Sequence, residues 1–180
     1  MQVEITKWTL ETRHRSPLAS DPPIVLRRAI HPNPDLNRFF YATVGRDWLW
    51  HTRLPWSDDE WLAVIDRPSH ETWIGYLDDS PVGYVEIDRA DPATVEIEFF
   101  GLLPAFVGRG LGGPMLAVAL DEAWRPAEVS SVWLHTCSLD HPRALPNYLA
   151  AGFEVVRTEQ EIDDIPDDMV AARVAAGRPL

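Results

Sequence analysis

Six residues constrain this chain more than any others: Gly108-Arg109-Gly110-Leu111-Gly112-Gly113. Upstream, Thr94 to Leu103 carries the β-branched and aromatic residues of a strand. Downstream, Met115, Leu116, Val118, Ala119, Leu120, Ala123 and Trp124 keep helical spacing until Pro126. A strand, a glycine turn and a helix make an anion site, because the helix N-terminus presents unpaired N–H groups and a partial positive charge. Glycines let an anion approach the backbone closely. The stretch Gly108 to Gly113 is therefore expected to cradle a phosphate or pyrophosphate, and the alternative is a tight turn that needs glycine only for its backbone.

Two familiar phosphate loops fit poorly. Gly108, Gly110 and Gly113 match G-x-G-x-x-G, but that fingerprint belongs to the first strand of a parallel βαβ unit with an acidic residue closing the next strand. Here the loop follows a run of expected hairpins and leaves too little chain for a doubly wound sheet. No Gly-Lys-Ser/Thr follows, so it is not a Walker A loop.

The rest of the chain supplies strands and helices around this loop. Val3 to Leu10 and Ile24 to Ile30 read as strands, joined by a polar, Pro-containing connection over Arg13 to Pro23. Asn33-Pro34 starts a helix that ends near Gly45, and Ser57 with Glu60 is a capping box for a second. Glu71 to Leu77, Val82 to Asp88 and Thr94 to Leu103 are strands separated by short turns, hence antiparallel hairpins. Ser131 to Ser138 is a strand, Pro142 to Ala151 a helix with Pro146 distorting its first turn, and Phe153 to Arg157 a last strand. The acidic tail either adds a helix around Pro166 to Ala176 or frays. No repeat or internal boundary divides the chain, which is expected to be one domain over 1–180.

Two segments resemble the GCN5-related N-acetyltransferase (GNAT) superfamily. Its signature is [Gln/Arg]-x-x-Gly-x-[Gly/Ala], and Val107-Gly108-Arg109-Gly110-Leu111-Gly112 matches at Gly110 and Gly112, departing at Val107. Its later motif, Asn-x-x-Ala-x-x-x-Tyr-x-x-x-Gly-Phe, is matched by Ala144, Tyr148, Gly152 and Phe153, with His141 replacing the Asn. The resemblance spans about 71–157. It implies an α+β fold with a mixed, mostly antiparallel sheet of six or seven strands flanked by helices, and two central strands that splay apart. It implies acetyl-CoA as co-substrate, with no metal. The pyrophosphate lies against Val107 to Gly113, pantetheine pairs with the backbone near Phe100 and Leu102, and His141 stands where the motif's Asn meets CoA; Arg109 and Arg143 either reach the CoA phosphates or are solvated surface charges.

Acetyl transfer to an amine needs loss of the ammonium proton, a polarised thioester carbonyl and protonation of the departing sulfur. The resemblance gives the acid role to Tyr148. Glu96 and Glu98 are candidate bases, two apart on one strand face, and Glu98 is preferred as nearer the thioester. His135 is a further candidate base, although a strand histidine is more often structural. Cys137, the single cysteine, reads as a small buried side chain. Trp48, Trp50 and Trp56 lie where the resemblance expects the acceptor pocket, and either stack a substrate or pack a core.

A net charge of −12 disfavours nucleic acid and anionic membrane as partners and is compatible with a cationic amine. The expected acceptor is a small-molecule or peptide amine. No basic stretch leads into an apolar run near the N-terminus and no apolar run spans a bilayer, so the expected location is the cytoplasm. The resemblance allows a homodimer. Two alternatives stand beside acetyl transfer: a GNAT-fold module that binds acyl-CoA without turnover, which the departures at Val107 and His141 favour, and, more remotely, a nicotinamide enzyme.

Overall fold

Strand pairing fixes the architecture of the computed structural model, which describes residues 1–17 and 22–180. Part of the connection expected over 13–23 lies outside the described residues. The strands are β1 (Gln2–Thr12), β2 (Val25–Arg28), β3 (His70–Leu77), β4 (Ser80–Asp88), β5 (Thr94–Leu102), β6 (Ser131–Cys137) and β7 (Glu154–Asp164). They form one sheet in the order β2-β3-β4-β5-β6-β1-β7. Short turns at 78–79 and 89–93 join β3 to β4 and β4 to β5, so these pair antiparallel as hairpins. The helix that follows the glycine loop returns the chain parallel to β5, making β5–β6 the parallel pair.

The helices are α1 (Pro34–Gly45), α2 (Asp58–Ile65), α3 (Gly112–Ala123), α4 (Ala144–Ala150) and α5 (Asp167–Ala175). Each expected start signal appears. Asn33 caps α1 by accepting from the Leu36 N–H, and Ser57 and Glu60 close a reciprocal capping box on α2. Helix α1 covers one sheet face, where Phe40 and Val44 pack on Ile74 and Tyr84. Helix α3 covers the other, where Leu116, Ala119 and Leu120 pack on Val85, Ile87, Val95 and Ile97, with Tyr148 and Phe153 in the same core. No helix of the described residues is long and apolar enough to cross a membrane.

Two local expectations change. Helix α4 starts at Ala144 rather than Pro142, so Pro146 falls in the first turn, where the N–H it lacks would have had no intrahelical partner. The last strand runs to Asp164 rather than Arg157, because β1 offers a partner along its whole length, from Gln2–Asp164 to Glu11–Glu154. Both faces of β7 are largely exposed, so it lacks the alternation that would reveal a strand. Helix α5 is fixed rather than frayed: Val170 is buried, and the Arg173 guanidinium donates to the carbonyls of Asp47, Leu139 and Pro179.

Candidate active site

The parallel pairing of β5 with β6 ends at Glu96 and Trp133. Beyond that register the two strands diverge and leave between them a cavity of about 960 Å³. Its walls include Phe100 and Leu102 from β5, the glycine loop, Tyr148 from α4, and the segment 48–52 after α1.

At one end lies the loop. Gly108 and Gly110 have φ of +79° and +76°, a conformation that L side chains rarely adopt, and a Cβ at either would point into open space. Gly113 likewise faces nothing within 4 Å. Helix α3 has no side-chain cap, and its first bonded N–H is that of Met115, to the Leu111 carbonyl. The N–H groups of Gly112 and Gly113 are thus left for an anion at the helix start. Val107, Gly108, Gly110, Leu111, Gly112 and Gly113 line the cavity; Arg109 does not, its guanidinium lying 5.3 Å from the Phe106 ring. His141 and Arg143 line it too, with the Arg143 N–H donating to His141 Nδ1 at 3.0 Å.

Tyr148 lines the middle of the cavity from the α3–α4 side, its ring held edge-on by Phe100 and Phe153. Burial holds its hydroxyl well above the usual phenol range, so it carries its proton at neutral pH. Cys137 also lines the cavity. Burial and then Asp140 push its thiol up to about 11, which leaves it protonated and a poor nucleophile.

The other side holds a buried charged nest. Glu86 pairs with Phe99 and Ile87 with Ile97, so Glu98 is the extra residue of a β-bulge on β5. Val95 and Ile97 pack on the α3 face, so alternation carries Glu98 to the α1–α2 face, where it lines the cavity and the bulge sets Phe99 beside it. Arg53 donates to both Glu86, at 2.8 Å, and Glu98, and its guanidinium lies against the rings of Phe99 and Trp56 at 4.4 and 4.8 Å. Asn37 Nδ2 donates to Glu86 at 2.9 Å and to Thr72 at 2.8 Å. Burial raises the Glu98 carboxyl above the usual carboxylate range, with Arg53 opposing. Burial takes Glu86, fully enclosed, to about 7 against the same opposition. Glu96 is not a lining residue of the cavity: its Oε1 lies 3.7 Å from His135 Nδ1, and burial, then Glu98, raises it to about 7.

Of the tryptophans, Trp48 and Trp50 line the cavity, Trp50 with its Nε1 3.5 Å from Asp140. Trp56 instead packs on Trp61 with ring centroids 5.2 Å apart, behind Arg53. Sequence reasoning missed Arg53, Glu86, Asn37 and His70, which come from four elements or connections. One signal was available: Glu86 is a lone charge between Val85 and Ile87 on a central strand. It also missed the acidic rim, where Asp140, Glu161 and Asp163 share the cavity with Glu98.

The Acetyltransferase (GNAT) family profile matches residues 35–153. No curated protein matches the chain. Among solved structures, a GCN5-related N-acetyltransferase from Sphaerobacter thermophilus is 18% identical, covers 88% of this chain and 50% of its own, and has a TM-score of 0.63. A GCN5-related N-acetyltransferase from Kribbella flavida is 16% identical, with 92% and 60% covered and a TM-score of 0.61. A tandem GNAT protein from the clavulanic acid biosynthesis pathway is 15% identical, with 90% and 55% covered and a TM-score of 0.56. The chain thus spans between 50% and 60% of the length of these three structures, and the likeness shows the fold.

Proposed function

From the premise that the chain belongs to the acetyltransferase (GNAT) family, we propose that it transfers the acetyl group of acetyl-CoA to a primary amine by direct attack. The observation that carries this proposal is the splayed cleft, which joins a backbone anion cradle at one end to a raised-pKa carboxylate at the other. The residues fit CoA: the N–H groups of Gly112 and Gly113 would hold the pyrophosphate, and the open space over Gly108 and Gly110 would admit it. The backbone of Phe100 and Leu102, on the stretch of β5 that β6 leaves unpaired, would hold the pantetheine amides. When bound, acetyl-CoA supplies an acetyl group activated as a thioester.

The chain's own groups do the proton work. Glu98, raised by burial above the usual carboxylate range, takes the proton of the acceptor ammonium, directly or through water. Tyr148, which keeps its proton, gives it to the departing sulfur. The two act from opposite sides of the sheet, Glu98 among the residues under α1 and α2 and Tyr148 from α4. Among the charged residues lining the cavity, Glu98, Asp140, Glu161 and Asp163 outnumber Lys7 and Arg143, and Lys7 is paired with Glu161 at 3.5 Å. That balance favours an acceptor with positive charge, its body packed on Trp48 and Trp50.

Calorimetric titration with acetyl-CoA, with NAD as control, tests the proposal, followed by thiol release with a panel of amines. Micromolar binding of acetyl-CoA alone, then turnover with cationic amines, is the expected outcome. Binding without turnover on any amine supports the non-catalytic module, and no acetyl-CoA binding sinks the cleft assignment.

A further inference from the structure

Of the carboxylates that line the cleft, Glu98, Glu161 and Asp163 already face a basic side chain. Glu98 accepts from Arg53, Glu161 lies 3.5 Å from Lys7 Nζ, and Asp163 lies 3.1 Å from His51 Nε2. Asp140 differs. Among the described residues its hydrogen-bond donors are all neutral: the Thr136 hydroxyl and the Cys137 N–H donate to Oδ2 at 2.6 and 3.1 Å, and Trp50 Nε1 reaches Oδ1 at 3.5 Å. The Arg173 guanidinium, bonded to the neighbouring Leu139, is taken up by the carbonyls of Asp47, Leu139 and Pro179.

The two firm bonds on Oδ2 fix this carboxylate on the turn after β6. They leave Oδ1, with one long bond, as the oxygen with acceptor capacity to spare. One indole separates Asp140 from the neighbour of Glu98: Trp50 turns Nε1 to Asp140, and its ring centroid lies 5.0 Å from that of Phe99. The Asp140 charge also reaches the middle of the cleft. After burial, it is the next cause that raises both the Cys137 thiol and the Tyr148 hydroxyl, which line the same cavity. The turn alone does not need that charge, because a neutral Asn would offer Thr136 and Cys137 the same acceptor.

We propose that Asp140 and Trp50 form a subsite for a second cation on the acceptor, so that the preferred acceptor is a diamine or another primary amine with a second positive group. The inference rests on the cleft taking an amine, and it narrows the class of that amine. Any amine acceptor brings one ammonium, but that charge is lost when Glu98 takes its proton. A carboxylate without a cation of its own, set apart from Glu98, suits a charge that persists through the reaction. One nitrogen of the acceptor stands at Glu98 and attacks; the other stays an ammonium and donates to Asp140 Oδ1, with the carbon chain between them along the Trp50 indole. Asp140 thus sets specificity and touches none of the reacting atoms.

Asp140→Asn keeps an oxygen for Thr136 and Cys137 and removes only the charge, and Tm measured alongside checks that the turn survives. The test is calorimetric titration of wild type and variant, each saturated with CoA so that nothing turns over. The titrants are putrescine and pentylamine, in which a methyl group replaces the second ammonium. The wild type should bind putrescine about 10–100-fold more tightly than pentylamine, the worth of one charge-assisted hydrogen bond, and Asp140→Asn should lose that preference through weaker putrescine binding. With acetyl-CoA, the variant should show a raised KM for putrescine and little change in kcat, because the contact is the same in the ground and transition states. Equal binding of the two amines by the wild type overturns the subsite, as does an undiminished preference in Asp140→Asn. An equal loss for both amines overturns it too and assigns Asp140 to the reacting ammonium. Failure of the wild type to bind CoA overturns the cleft reading separately, and the same two amines titrated into the free protein then decide the subsite.

Discussion

The two ends of the cleft are built by opposite means. At the end proposed for CoA, the free N–H groups of Gly112 and Gly113 belong to the backbone, and side chains contribute little: Gly108, Gly110 and Gly113 have open space where a Cβ would be. At the end proposed for the acceptor the backbone contributes little. Arg53, Asn37, His70, Glu86 and Glu98 converge from a loop, a helix and three strands, and Arg53 and Asn37 donate to the carboxylates that face His70. A backbone site tolerates substitution around it as long as the turn survives. A side-chain nest does not, because removing any one member strands the rest in a low dielectric.

The sharpest way to break this contrast is Arg53→Met. Arg53 is 5% exposed and is the cation between two carboxylates. Removing one partner of a buried ion pair costs about 3–5 kcal/mol, and that loss of unfolding free energy by urea titration is the expected outcome. The loss should grow as pH rises through about 7, where Glu86 must ionise without its partner. Denaturation at the wild-type midpoint would mean that the nest is not what holds this face together.

Legibility follows the same division. The loop was readable because its chemistry is local: glycine spacing, a strand before it and a helix after it lie within one stretch of chain. The caps at Asn33 and Ser57 were readable for the same reason. The nest was not, since Arg53 lies in an irregular tryptophan-rich segment and meets Glu86 across 33 residues. Glu98 was named from the pattern of its strand, and alternation with Val95 and Ile97 does carry it to this face; the bulge that sets Phe99 beside it is a matter of register with β4, which sequence periodicity does not encode. The long β7 stayed hidden because β1, its partner, lies at the far end of the chain and β7 itself carries no buried apolar alternation.

Gly110→Glu probes the backbone end. It puts a carboxylate where the space is open and forces a side chain onto a φ of +76°. Losing one or two charge-assisted bonds of about 1.5–3 kcal/mol each weakens CoA binding by about 100-fold in calorimetry. Stability should fall by about 1–2 kcal/mol, the usual size of a left-handed backbone penalty. A variant that unfolds rather than merely failing to bind would erase the distinction between the two ends.

Tyr148→Phe lies between the two ends and should act on turnover alone. A thiolate leaves readily, so protonating it is worth less than a full general acid, and kcat is expected to fall about tenfold with CoA affinity unchanged. Wild-type turnover would remove the acid role and leave Tyr148 as a core ring between Phe100 and Phe153.

The smallest expected effect is a slope in the nest's pH dependence. His70 titrates at 6.5 when free and at about 4 when folded, so the native state binds fewer of its protons than the unfolded chain between those values. Its contribution to stability is present above 6.5 and is lost as pH falls toward 4. Glu86 works the other way: its carboxyl rises from 4.5 to about 7 on folding, so its contribution is present below 4.5 and lost as pH climbs through 7. The two oppose each other between 4.5 and 6.5 and flatten the wild-type profile there. Removing one should unmask the other. In His70→Gln the gap in unfolding free energy from the wild type should narrow as pH drops from 6.5 to about 4, and in Glu86→Gln it should narrow as pH rises from 4.5 to about 7. Parallel profiles for all three proteins would mean that these groups keep their ordinary titration in the fold, and that the nest is a packed polar layer with no hold on its own protons.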